Sequence, residues 1–186
     1  MTKYIISNEL SQKGIAKTIR KLESIQKNLP KLELEFKKRS LDYIEKRARY
    51  YIRNTTGGSQ WYQITHTLEN SWIKDYDIGK LINYCWYSGL VEFGTGIKGQ
   101  GTHPDSKGYQ YDINGHGDSG WYFDYDGKLH FTTGMEAHRY MFNAIQDYVV
   151  GKEYKKIFEK SFNTVMGGIL KWYYLTILKM GLMIFC

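Results

Sequence analysis

Cysteine is nearly absent from this chain. Cys85 lies in an apolar, strand-like run and Cys186 is the last residue, so a disulfide framework is excluded and reduced thiols are expected. Proline is equally rare, at Pro30 and Pro104 alone, which leaves most chain breaks to glycine. The N-terminus has no apolar core followed by a small-residue cleavage site, and a protein made and used in a reducing cytoplasm is expected. A membrane span needs about 20 largely uncharged residues. The most apolar stretch, residues 167–186, carries Ile169, Leu170, Trp172, Leu175, Ile177 and Leu178, but Lys171, Lys179 and Gly181 interrupt it. Burial against a sheet or in a subunit interface is the expectation for this tail.

Catalytic signatures are missing too. There is no His-Glu-x-x-His, no Gly-x-Ser-x-Gly elbow and no P-loop. Gly94-Thr95-Gly96 and Gly99-Gln100-Gly101 are glycine-rich but lack the Gly-Lys-Ser/Thr ending that cradles phosphate. His103, Asp105, Asp112, His116, Asp118 and Asp124 share one loop and hairpin region, and such residues can hold a divalent metal for hydrolysis. Their spacing matches no metalloenzyme motif, and loops rich in Gly, Asp and Asn carry them for turn chemistry alone. The expectation is a non-enzyme with no cofactor and no metal.

What is abundant is aromatic and basic. Aromatic residues make up 16% of the chain, 17 of them Tyr, which suits either a β-rich core or extended subunit contacts. Residues 1–53 hold 14 Lys or Arg against 6 Asp or Glu, whereas residues 54–186 hold 12 against 13. The excess charge therefore sits at the N-terminal end, where it forms either a solvated helix face or a field that attracts a polyanion such as DNA without sequence preference.

The pattern along the chain predicts an α+β fold in one domain, 1–186. Residues 1–54 read as two basic amphipathic helices, 8–28 and 32–54, broken at Pro30 and folded as a hairpin or swung apart. Ile15, Ile19, Leu22 and Ile25 mark the apolar face of the first. Lys37, Lys38, Arg39, Arg47 and Arg49 crowd the polar face of the second. Residues 55–131 read as an antiparallel sheet of about four strands with a long glycine-rich loop. Strands 71–76 and 80–87 flank a turn at Asp77-Ile78-Gly79, and 89–93 continues the second strand past a bulge. The loop runs from residue 95 to 120. Asp126-Gly127 between two aromatic runs predicts a type I′ hairpin. Thr133-Gly134-Met135-Glu136 has capping-box spacing and predicts that residues 132–166 are helices packed on the sheet, with 167–186 as the apolar tail. Glu92, at the end of an apolar run, needs hydrogen bonds or a countercharge if buried. The candidates are the Gly94-Thr95-Gly96 backbone, an Arg from the helices, or a residue of a neighbouring subunit.

Three segments carry a family resemblance. Thr56-Gly57 followed by Leu68-Glu69-Asn70-Ser71-Trp72, then Glu92-Phe93-Gly94-Thr95, then Gly134-Met135-Glu136-Ala137-His138-Arg139-Tyr140-Met141 occur in that order over residues 55–145. Together they resemble the gp-ten-like tail-component family of tailed bacteriophages. The chain departs from it where Arg53-Asn54-Thr55 replaces an Ala-Pro and Arg139-Tyr140 replaces a Pro-Phe. The resemblance implies a neck, head-tail joining or minor tail protein: a homo-oligomeric ring around the DNA passage, between the head-closure connector and the tail terminator or tail tube. It implies no membrane partner, and a virion protein assembled in the host cytoplasm. Glu92, Phe93, Gly94, Thr95, Gly134 and Ala137 would then be assembly residues, the 95–120 loop a partner contact, and Lys37, Lys38, Arg39, Arg47 and Arg49 would face lumenal DNA. On this view, loss of Glu92 disturbs assembly more than monomer folding.

Overall fold

A single helix, α1 (Gln12–Thr55), occupies the segment for which two helices are predicted, and Pro30 lies inside it. The computed structural model describes residues 12–55, 66–109 and 119–167. A proline inside a helix loses one N–H donor and crowds the carbonyl four residues back, at a cost of about 3 kcal/mol. Here no second breaker adjoins it, and packing on both sides of it offsets the cost. Ile25 and Leu32 pack with Phe158, Phe162, Val165 and Met166 of α6 (Glu153–Met166). Phe36 meets Phe158 edge-on at 5.7 Å. Burial of one such side chain contributes about 1.5–3 kcal/mol, so the cluster outweighs the proline.

The chain divides into two compact units, residues 1–39 with 155–186 and residues 40–154. The contacts of α6 just described form the core of the first. In the second, Ala48 and Ile52 of α1 join Leu68 of α2 (Thr67–Asn70), Val91 of α3 (Ser88–Phe93), and Tyr140 and Ala144 of α5 (Tyr140–Val149), with Cys85 among them. This core lies among helices. Cys85 is a free, buried thiol.

The mixture of helix and strand agrees with the sequence, but the four-stranded sheet does not form. Among the described residues β1 (Trp72–Asp75) pairs with β2 (Lys80–Asn83), and β3 (Trp121–Tyr125) with β4 (Lys128–Thr132), as two separate two-stranded sheets. In β1–β2 the register sets Ile73 opposite Ile82. Trp72 turns inward, meeting Tyr140 edge-on at 6.2 Å. Asp75 accepts the Asp77 and Ile78 N–H groups to close the turn. In β3–β4 the turn residues Asp126 and Gly127 have φ of 58° and 71°, the paired positive angles of the type I′ hairpin expected there.

The segment expected to extend the sheet, residues 89–93, is instead helix α3. A six-residue apolar run has no periodicity that separates helix from buried strand. Tertiary contacts decide it, since the α3 carbonyls of Val91 and Glu92 accept the N–H groups of His138 and Arg139 at 2.9 and 3.2 Å. The helix predicted from the Thr133–Glu136 spacing likewise starts later, at Tyr140, because residues 133–135 are taken up by pairing with the chain at Thr95. The C-terminal helices therefore pack mainly in helical clusters, with Trp72 of β1 as the strand residue against α5. Part of the predicted 95–120 loop is ordered by a helical turn, α4 (Gly96–Gly99). Thr56-Gly57 and the tail from residue 168 lie outside the described residues.

Pro30→Ala restores a backbone hydrogen bond in an exposed helix interior. It is expected to raise the urea midpoint, with a gain approaching about 3 kcal/mol. A lowered midpoint would show that α1 depends on a proline-specific bend.

Candidate assembly site around Glu92

An α-helix leaves its first N–H groups without internal partners, and α5 has an unusual solution. The residue at its N-cap position, Arg139, sits at φ 55° and makes no side-chain cap. The acceptor comes from α3 instead. Glu92 Oε2 accepts the Met141 N–H at 2.8 Å, and Oε1 accepts the Phe142 N–H at 2.8 Å. A buried carboxylate is placed where the helix dipole and two backbone donors favour it. A third donor reaches Oε1 from His103 Nε2 at 3.1 Å. Because His103 Nδ1 accepts the Asp105 N–H at 3.0 Å, the ring proton sits on Nε2 and the imidazole is neutral. The contact is a hydrogen bond between a carboxylate and a neutral ring. Glu92 is 7% and His103 5% exposed, so neither group relies on water.

Around this pair the signature residues close on one another. Phe93 meets the His103 ring at 4.5 Å and stacks on Tyr109 at 4.5 Å, anchoring residues 103–109. Thr95 donates its N–H to the Met135 carbonyl at 2.9 Å and accepts the Met135 N–H at 3.1 Å. The Ala137 N–H donates to Thr102 Oγ1 at 2.9 Å, and that hydroxyl donates to the Gly99 carbonyl at 2.6 Å. The crossing is too close for side chains. A Cβ on Gly134, at φ 104°, would lie 1.9 Å from the Thr95 carbonyl oxygen, and one on Gly94, at φ 83°, would lie 2.6 Å from that of Met135. Glu92, Phe93, Gly94, Thr95, Gly134 and Ala137 thus form one continuous site. The donors on Glu92 are neither the Gly94-Thr95-Gly96 backbone nor an arginine. Sequence reasoning missed Thr102 and the pairing of His103 with Glu92, for which no spacing rule exists.

The other candidate residues are placed differently. Lys37 pairs with Glu33 at 2.6 Å, Arg39 with Glu35 at 2.6 Å and Arg49 with Glu45 at 2.7 Å, all one turn apart on α1. Arg47 pairs with Asp147 of α5 at 2.5 Å and lies over the Tyr50 ring at 4.6 Å. Burial opposes the Arg47 charge, but the hydrogen bonds it donates to Asp147 and Tyr51 outweigh this and hold its pKa above the ordinary value. Lys38 is exposed. Of the metal candidates, His103 is committed to Glu92, and Asp124 accepts the Gly127 N–H in the β3–β4 turn. Asp105 makes the backbone contact already given. Asp112, His116 and Asp118 lie outside the described residues. Among the described residues no group of three His, Cys, Asp or Glu side chains could hold a metal ion, and no helix is long and apolar enough to cross a membrane.

No protein family, curated protein or solved structure matches this chain.

Three outcomes are expected. Glu92→Ala strands two backbone N–H groups and a ring N–H, each costing about 1–3 kcal/mol when buried, and monomer stability in urea should fall by about 3 kcal/mol or more. An unchanged midpoint would mean the cap is replaced by water. Gly134→Ala should destabilise far more than Gly101→Ala. Both positions have positive φ, but a Cβ at Gly101 meets open space, so the difference isolates the close crossing. Third, burial pushes the His138 imidazole below its ordinary pKa, against the pull of Glu92. The unfolded chain then binds more protons as pH falls through about 6.5, and stability drops. Thermal melts between pH 7.5 and 5.5 should show this loss, and His138→Gln should lessen it.

Proposed function

We propose that this chain is a non-catalytic structural subunit of a tailed bacteriophage, part of the neck or tail-completion ring that joins head connector to tail tube around the DNA channel. The observation that carries the reading is the convergence of the signature segments. Residues 92–95 and 134–142 lie far apart in the chain, yet they meet: Met141 and Phe142 donate to Glu92, Met135 bridges Thr95, and Gly94 and Gly134 sit where the backbones touch.

Surface chemistry supports the same reading. The outer face of β1–β2 carries Ile73 and Ile82, and Tyr84 just beyond it is 61% exposed. The outer face of β3–β4 carries Tyr122, Leu129 and Phe131, exposed at 67%, 71% and 53%. Exposed apolar faces on one subunit suit repeated contacts in a closed ring.

Mass photometry over a concentration series, at low and high salt, tests the proposal. Discrete closed oligomers that grow in with concentration are expected. A monomer at every concentration, with stability or activity on DNA that changes on adding EDTA, would favour a metal-dependent DNA-processing protein instead.

A further inference from the structure

The basic residues of α1 fall into two groups with different electrostatics. From Glu33 onward, acids accompany them, and Lys37, Arg39, Arg47, Arg49 and Arg53 are all ion-paired within the chain. Residues 12–32 are different. They hold Lys13, Lys17, Arg20, Lys21, Lys27 and Lys31, and Glu23 is their single acid. Lys13, Lys17, Arg20, Lys27 and Lys31 are exposed and make no ion pair among the described residues.

Helix geometry gathers these five. At about 100° per residue they fall within an arc of about 80°, in a stripe about 27 Å long. Glu23 falls to one side of it. Ile15, Ile19, Leu22 and Leu29, all about half exposed, centre roughly 180° away on the opposite side of the helix. A basic face set opposite apolar residues is also the pattern of a helix lying in a membrane surface, so vesicle binding is an outcome the test below must separate; charge complementarity along the stripe and the neck-ring reading favour DNA. A rigid rod of phosphates laid along the basic face fits the stripe without involving the apolar side.

We propose that the face of α1 bearing Lys13, Lys17, Arg20, Lys27 and Lys31 binds the phosphate backbone of duplex DNA without sequence preference. This deepens the neck-ring reading and rests on it for the source of the DNA. It moves the contact from Lys37–Arg49, whose charges are largely neutralised internally, to the residues 13–31 whose charges are not. Five contacts predict a log-affinity against log-salt slope of roughly −4 to −5. Aliphatic stems on the same side add no base contact, so mixed sequences should bind alike.

The test uses the full chain, a fluorescent mixed-sequence duplex and a salt series. The variant Lys17→Gln/Arg20→Gln/Lys27→Gln keeps good helix formers at each position. It should weaken binding about tenfold or more at low salt and flatten the slope by about 2 to 3. The control Lys98→Gln/Lys128→Gln/Lys160→Gln removes equal charge from exposed sites elsewhere and should leave the slope nearly unchanged. Far-UV circular dichroism must show equal helicity in both. Equal loss in the two variants would overturn the proposal by showing a net-charge effect only. So would wild-type binding in the first variant, or binding to phosphatidylserine vesicles in place of DNA. Mass photometry of the same samples reads the ring separately. Stripe-dependent binding by a persistent monomer supports this surface while refuting the ring, and intact oligomers with stripe-independent binding do the reverse.

Discussion

The Glu92 carboxylate organises the 40–154 unit. A carboxylate cannot be buried without compensation, and this one receives it from three donors on two segments distant in the chain: the first turn of α5 and His103. Satisfying it has geometric consequences. The end of α3 must face the start of α5, which lays Gly94 and Thr95 beside residues 133–135. The chain there pairs with Thr95 and cannot be helical, so α5 begins only at Tyr140. Phe93 meets the His103 ring and stacks on Tyr109, anchoring residues 103–109. One charged group thereby sets a helix start, a backbone crossing and a loop anchor.

Ion pairs give the same unit a second frame. Lys74 of β1 reaches both Asp42 and Glu45 of α1 at 2.6 and 2.9 Å. Hydrogen bonding to Asp42, opposed by burial and aided by Glu45, raises its pKa well above the usual lysine value. Glu69 lies between Arg53 and His66, and the hydrogen bond from Arg53 holds its carboxyl below the usual range. Exposed and partly exposed pairs such as these contribute little to stability. The Arg53–Glu69 pair, with those of Lys37, Arg39, Arg47 and Arg49, offsets positive charge of α1 along residues 33–53, and none of them touches the charge along residues 13–31. Position of charge, more than its total, decides where a polyanion is attracted.

The hairpins follow a different logic. In an isolated monomer, exposed apolar faces are aggregation liabilities, which soluble proteins usually blunt with charge or cover. Asp124 sits on the outer face of β3 beside Tyr122, Leu129 and Phe131, so the outer surface is a mixed one, with directionality available from the carboxylate. Such a surface favours repeated, oriented contacts over indiscriminate association.

Local chemistry was legible in the residues themselves. Asp126-Gly127 specified its turn, because few other pairs tolerate two positive φ angles. Asp77-Ile78-Gly79 marked the other hairpin, and the spacing of apolar residues marked the helical runs at the two ends of the chain. The charge asymmetry was a matter of counting. Whatever required distant residues to meet was not legible. Pro30 signalled a break, but contacts with α6 hold the helix continuous. Residues 89–93 and 133–139 had local patterns for strand and helix, and contacts between them, including the donors to Glu92, overrode both. Local propensities differ by a fraction of a kcal/mol per residue, whereas a stranded buried donor costs about 1–3 kcal/mol. Where the two conflict the tertiary contact prevails, and no single stretch of sequence contains it.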